Sequence, residues 1–216
     1  MLGIFDSGIG GLTVVKEIFK NLPKYQIIYF GDAARLPYGT KGTDFIKRYS
    51  AKIIDWLIQK KAKIIIIACH TSSAWASDFL KKRFNKIPIF EVISPALNEV
   101  LSAAESKRIG IIGTPGTIKS GSWKKKLLAK DPTLKIYSKS CPLFVPLIEE
   151  GWINKKITRE IVKEYLEPLK LKKIDVLVLA CTHYPLLEKE IKKVLGKKIK
   201  IINPAESLAK SIKLFF

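Results

Sequence analysis

Short runs rich in Ile and Val recur along the chain, and most of them are apolar at successive positions rather than at every second one. They read LGIFD, QIIYFGD, AKIIIIAC, IPIFEVI, RIGIIGT, LKIYSKS, DVLVLAC and IKIIN. A strand that is apolar on both faces is covered on both faces, which is the situation of a parallel strand between layers of helices. The intervening stretches supply those helices. In GTDFIKRYSAKIIDWLIQKK, the residues Phe45, Ile46, Tyr49, Ile53, Trp56 and Leu57 fall on one stripe of 3.6-residue period. LLEKEIKKVLGKK, after Pro185, has the same character, with Gly196 as its stop. Strand–helix alternation of this kind predicts an α/β fold with parallel sheets.

The alternation is made twice. GIFDSGIGG near the start and GIIGTPGT at 110–117 are both strands that run into glycine-rich turns. Each half ends on an apolar run followed by Ala, Cys and polar residues: IIIIACHTSSA and VLVLACTHYPLL. With 216 residues, 47% of them hydrophobic, the chain has material for two small cores. The expectation is two pseudo-symmetric parallel-sheet α/β domains with the active site in the cleft between them. The first spans 1–93 and is completed by 204–216; the second spans 94–203.

Several function classes recede on composition. The start, MLGIFDSG, has no basic region, and no apolar run approaches the roughly 18 residues of a membrane span; the expected protein is soluble and cytoplasmic, with no membrane partner. Three cysteines, none in a CxxC pair, argue against a disulfide framework, and with only two histidines they argue against structural zinc. The net charge of +20 raises the question of nucleic acid. The lysines, however, are spread over helix faces and ends, without a helix-turn-helix, zinc-finger or RNP-type motif, and a positive field draws small anions equally well.

In open parallel sheets ligands sit beyond the carboxyl ends of the strands. Asp6, Ser7, Asp32, Cys69, Thr114 and Cys181 all fall at such ends. A lone cysteine is usually a small buried hydrophobe, and Cys141, just before Pro142, fits that description. Cys69 and Cys181 differ, because each ends an apolar strand and is followed at once by hydroxyl or imidazole groups. Two thiols on opposite sides of one ligand suit few reactions. Redox exchange lacks a CxxC, and acyl transfer needs one thiol. Proton transfer at a carbon from opposite faces, as in racemisation, needs two groups that each act as acid and as base. An ordinary thiol, with pKa about 8.5, is only slightly ionised at neutral pH, so neighbours must adjust it; Asp6 and His183 are the candidates. DSGIGG lacks the spacing of a phosphate loop. The turns at Pro37–Gly39 and Gly113–Thr117 offer backbone N–H groups and hydroxyls suited to carboxylates.

These segments, together with YFGDAARLPYG and FVPLIEEG, stand in the order and spacing of the glutamate racemases, and the chain resembles that cofactor-independent branch of the aspartate/glutamate racemase superfamily from residue 3 to about 209. The resemblance implies interconversion of L- and D-glutamate, supplying D-glutamate for peptidoglycan and so for cell-wall biogenesis and cell shape. It implies that Cys69 and Cys181 are the paired acid/base thiols, assisted by Asp6 and His183, with Glu149 or its neighbour Glu150 as a further participant. It implies substrate contacts from Asp6, Ser7, Tyr38, Gly39, Thr71, Thr114, Thr117, Thr182 and His183, and neither pyridoxal phosphate nor metal. A homodimer is the expected assembly.

Two features depart from the family pattern. His70 stands where the family usually has Asn, and an imidazole there, titrating near neutral pH, is expected to bind substrate and to perturb Cys69. The chain ends soon after INPAESLAK, with Asn203-Pro204 in place of the usual Asp-Ser, so the first domain is expected to lack part of its helical cover. Aspartate or a related acidic amino acid is the alternative substrate. A basic nucleic-acid-associated protein, or a racemase-like fold that only binds an acidic ligand, is the alternative from another class.

Overall fold

A computed structural model describes residues 1–216, which divide into two compact units: Met1–Ala96 with Pro204–Phe216, and Leu97–Asn203. The first unit begins with β1 (Leu2–Asp6), α1 (Leu12–Asn21), β2 (Ile27–Gly31), α2 (Thr43–Gln59), β3 (Ile64–Ile67), α3 (His70–Arg83) and β4 (Ile89–Glu91). Its sheet is all parallel in the order β2-β1-β3-β4. The second unit contains α4 (Leu97–Ala103), β5 (Arg108–Gly113), α5 (Pro115–Lys119), α6 (Ser122–Lys130), β6 (Lys135–Ser140), α7 (Phe144–Glu149), α8 (Lys156–Leu171), β7 (Val176–Ala180), α9 (Glu188–Leu195) and β8 (Lys200–Ile202). Its sheet repeats the plan as β6-β5-β7-β8, again all parallel. The chain then returns to the first unit as α10 (Pro204–Lys213), which packs along α1. No helix is long and apolar enough to cross a membrane.

The eight apolar runs all form strands, but their burial depends on position in the sheet. β1, β3 and β7 are buried along their whole length, and β5 at all but its first residue. The outer strands β2 and β6 are only half-buried, and β6 has exposed positions at Lys135 and Ser138. A parallel edge strand has one neighbour and thinner helical cover, so double-sided burial holds for the inner strands alone.

The stripe on α2 is also rotated from the expected one. Its buried face is Ile46, Ser50, Ala51, Ile53, Ile54 and Leu57, whereas Phe45, Tyr49 and Trp56 lie at the margin. The three aromatics lean on the strand edge and the turns beside it: Trp56 meets Phe30 edge-on at 5.1 Å, and Phe45 lies 4.4 Å from Tyr49 and 6.1 Å from Tyr38. The core of the second unit gathers Phe144, Val162, Leu166, Leu177, Leu179 and Ile191. Cys141 lies in this core, and its carbonyl accepts a hydrogen bond from the Tyr184 hydroxyl at 2.9 Å.

The entry to each cysteine-bearing strand is built alike. Lys61 and Lys173 follow α2 and α8 with φ of 66° and 51°, the left-handed conformation that ends a helix. After α2 the pattern is complete: Lys61 N–H donates to Ile58 O at 2.8 Å and Ala62 N–H to Leu57 O at 3.0 Å. A side chain bearing a Cβ is strained there, and glycine is not. Lys61→Gly and Lys173→Gly should therefore each raise stability, by about 0.5–1 kcal/mol after allowing for the greater freedom of glycine in the unfolded chain. Chemical denaturation would read this as a higher midpoint; a lower midpoint in both variants would contradict it.

Candidate active site

In the first unit, the residues singled out by the sequence collect at the carboxyl ends of β1 and β3. Asp6 is the last residue of β1 and is fully buried. Its Oδ2 accepts hydrogen bonds from the N–H groups of Gly8 and Gly11, both at 3.1 Å. The loop can wrap the carboxylate so closely because position 11 lacks a side chain: a Cβ there would collide with Asp6 Cβ and lie 2.5 Å from the Tyr29 hydroxyl. That hydroxyl in turn donates to Gly8 O at 2.5 Å and holds the loop from the β2 side. Asp6 is thus a fixed, buried negative charge.

β3 delivers Cys69 to the start of α3, where it occupies the N-cap position at 4% exposure. Its thiol donates to Ser7 Oγ at 3.7 Å. Burial, and next the charge of Asp6, push this thiol up from its ordinary value; the amide and hydroxyl of Ser72 and the hydroxyl of Ser7 oppose the rise by favouring the thiolate. His70 and Thr71 are the first residues of α3 and are buried. The expectation that His70 titrates near neutral pH is not met. Burial holds its imidazole down to about 3, so it is neutral at physiological pH. Tyr38 and Gly39, both buried, form the turn before α2.

In the second unit the assembly is at the end of β7. Cys181, Thr182 and His183 are all buried, Cys181 at 6% exposure. Cys181 Sγ lies 3.9 Å from His183 Nδ1, and His183 Nε2 lies 2.5 Å from Glu149 Oε1. The sequence left open whether Glu149 or Glu150 takes part; α7 carries Glu149 to the imidazole, while Glu150 is exposed. Thr114 caps α5 by accepting from Thr117 N–H at 3.3 Å, and the two hydroxyls lie 3.0 Å apart. No three His, Cys, Asp or Glu side chains converge as metal ligands would.

The structure therefore groups Asp6, Ser7 and Cys69, and separately Cys181, His183 and Glu149. Sequence reasoning placed Asp32 at a strand end without giving it a partner and passed over Arg35; the two are paired, with Arg35 Nη1 donating to Asp32 Oδ1 at 2.6 Å, and the Tyr38 hydroxyl donates to Asp32 Oδ2 at 2.6 Å. The signal was an Asp at a strand end with an Arg three residues later, in DAARLPY.

The sequence profile of the Asp/Glu/Hydantoin racemase family matches residues 7–212. The glutamate racemase of Aquifex pyrophilus is 48% identical over 214 residues, covering 99% of this chain and 82% of that protein. Among solved structures, glutamate racemase isoform RacE1 of Bacillus anthracis superposes with a TM-score of 0.96 at 37% identity, covering 100% of this chain and 80% of that one. The glutamate racemase of Francisella tularensis, solved in complex with D-glutamate, gives 0.93 at 41% identity, covering 99% and 80%. A profile that runs through both cysteine-bearing strand ends, and identities of this size over nearly the whole length, leave one assignment: the chain belongs to the Asp/Glu/Hydantoin racemase family.

Proposed function

We propose that this protein interconverts L- and D-glutamate without a cofactor, using Cys69 and Cys181 as two acid/base thiols on opposite faces of one α-carbon. The observation that carries the reading is the duplicated device itself: two parallel strands that each end on a buried cysteine, each cysteine with its own adjusting group. The relatives named above, all glutamate racemases at 37–48% identity, support glutamate over aspartate as substrate. Each of the two compact units acts as a domain and contributes one of the two thiols. D-Glutamate made in the cytoplasm then supplies peptidoglycan synthesis and so cell shape, and the working assembly is a homodimer.

The chemistry follows from the two environments. In one direction the Cys69 thiolate takes the α-proton, leaving a carbanion, and the Cys181 thiol gives its proton to the opposite face. Cys69 ends as thiol and Cys181 as thiolate, ready for the reverse reaction. Asp6 disfavours the thiolate at Cys69, which makes that sulfur a stronger base when ionised and a ready holder of the proton afterwards. On the other side, Glu149 orients His183: with Nε2–H donated to the carboxylate, Nδ1 is left as an acceptor facing Cys181. His183 draws the proton from Cys181 when that sulfur must act as base, and returns it afterwards. Asp6, Ser7, Tyr38, Gly39, Thr71, Thr114, Thr117, Thr182 and His183 hold the two carboxylates and the amino group. His70, neutral and buried at the head of α3, serves as an uncharged hydrogen-bonding group beside Cys69.

Cys69→Ser and Cys181→Ser should each lower racemisation of both enantiomers by at least about 10³-fold, because every turnover uses both faces. Circular dichroism of glutamate solutions measures this, and a serine variant with normal turnover would remove the thiol it replaces from the mechanism. His183→Asn should be asymmetric in a particular way. The enantiomers have equal free energy, so kcat/KM must fall equally in the two directions. The α-deuterium isotope effect should rise only in the direction in which Cys181 removes the α-proton. An isotope effect unchanged in both directions would make His183 purely structural.

A further inference from the structure

A buried carboxylate outside the thiol assemblies has both its oxygens committed. Asp32 follows the edge strand β2, is 3% exposed, and donates its own N–H to Asp6 O at 3.0 Å, so it is fixed to the strand end that carries the buried Asp6. Its Oδ2 accepts the Tyr38 hydroxyl and its Oδ1 accepts Arg35, each at 2.6 Å. Burying a carboxylate is costly unless it is paired, and here the pairing is complete. Arg35 is held on its far side by the ring of Tyr49, 4.3 Å from the guanidinium carbon. Tyr38 is held on its far side by Phe45. Both supports come from successive turns of α2, which explains why those aromatics sit at the margin of the helix and not in the core.

We propose that Asp32 is a positioning residue of the racemase, which with Arg35 grips the Tyr38 hydroxyl and so sets the Tyr38–Gly39 turn for glutamate. The inference rests on the substrate-binding role given to that turn above. It specifies how the turn works. A phenol whose proton is directed at a buried carboxylate does not donate that proton to substrate, so Tyr38 acts by fixing the backbone of the turn. The same hydrogen bond can then be removed from either end with the same consequence.

The test is a double-mutant cycle on the full chain. Tyr38→Phe and Asp32→Ala should each raise KM for both enantiomers about 5- to 10-fold, the loss of one buried hydrogen bond. The loss should fall on KM and on D-glutamate affinity measured by calorimetry, with kcat changed about twofold or less. The double variant should be no worse than Asp32→Ala alone, because Tyr38→Phe then removes no contact that Asp32→Ala has not already removed. Asp32→Asn, which keeps one acceptor for Tyr38, should recover part of the affinity, and Arg35→Gln should lose part of it. If Asp32→Ala does not fold, the cycle is run with Asp32→Asn, whose partial loss should shrink in the Tyr38→Phe background. Unchanged KM in folded variants, losses that add in the double variant, or a loss confined to kcat would each overturn the proposal. Wild-type exchange of the glutamate α-proton, run alongside, reports on the racemase reading itself; its absence would defeat that reading without bearing on the Asp32–Tyr38 coupling, which the calorimetric affinities still measure.

Discussion

Burial of a thiol at the end of a parallel strand is the constraint on which the rest depends. A sulfur placed there is out of water, so its ionisation is governed by whatever few groups the adjoining turn supplies. At Cys69 those groups are a carboxylate fixed by two backbone N–H groups and the donors at the head of α3. At Cys181 they are an imidazole and the carboxylate that orients it. The two settings differ in chemistry while the strands that present them are alike. On the proposed reading that difference is tolerable, because racemisation asks only that each sulfur hold a proton in one half of the cycle and release it in the other.

The duplication extends beneath the chemistry. Lys61 lies eight residues before Cys69 and Lys173 eight before Cys181, and both are left-handed helix ends leading into the strand. β1 and β5 flank these strands at the centre of their sheets, and each sheet puts its less protected strand, β2 or β6, at the same edge. The first unit has turned that edge to use. Tyr29 on β2 secures the loop around Asp6, and Asp32 just beyond β2 secures the turn at Tyr38. Half-burial of an edge strand is therefore the means by which two loops are held from the side.

Much of this was legible in the chain itself. Runs of Ile and Val announce strands because few other environments tolerate so many β-branched residues in succession, and all eight are found. The repeated Ala-Cys-polar endings single out Cys69 and Cys181 against Cys141, a distinction that burial does not make, since all three are buried. What escaped depended on tertiary surroundings. Whether Phe45 and Tyr49 belong to the core or to a buttress depends on where Arg35 and Tyr38 come to rest. His70 reads as a neutral-pH titrating group until its burial is seen, and only the position of α7 chooses Glu149 over Glu150. Periodicity reports which residues prefer burial; it does not report which partners meet there.

The central claim is that two separate groups, on opposite faces, handle the α-proton. It is tested most directly by converting L-glutamate in D₂O and examining both pools at early times. The two-thiol account predicts that newly formed D-glutamate carries deuterium at the α-carbon while the remaining L-glutamate keeps its protium. Product that retains the original α-proton, or substrate that acquires deuterium as fast as product forms, would show a single base at work and contradict it.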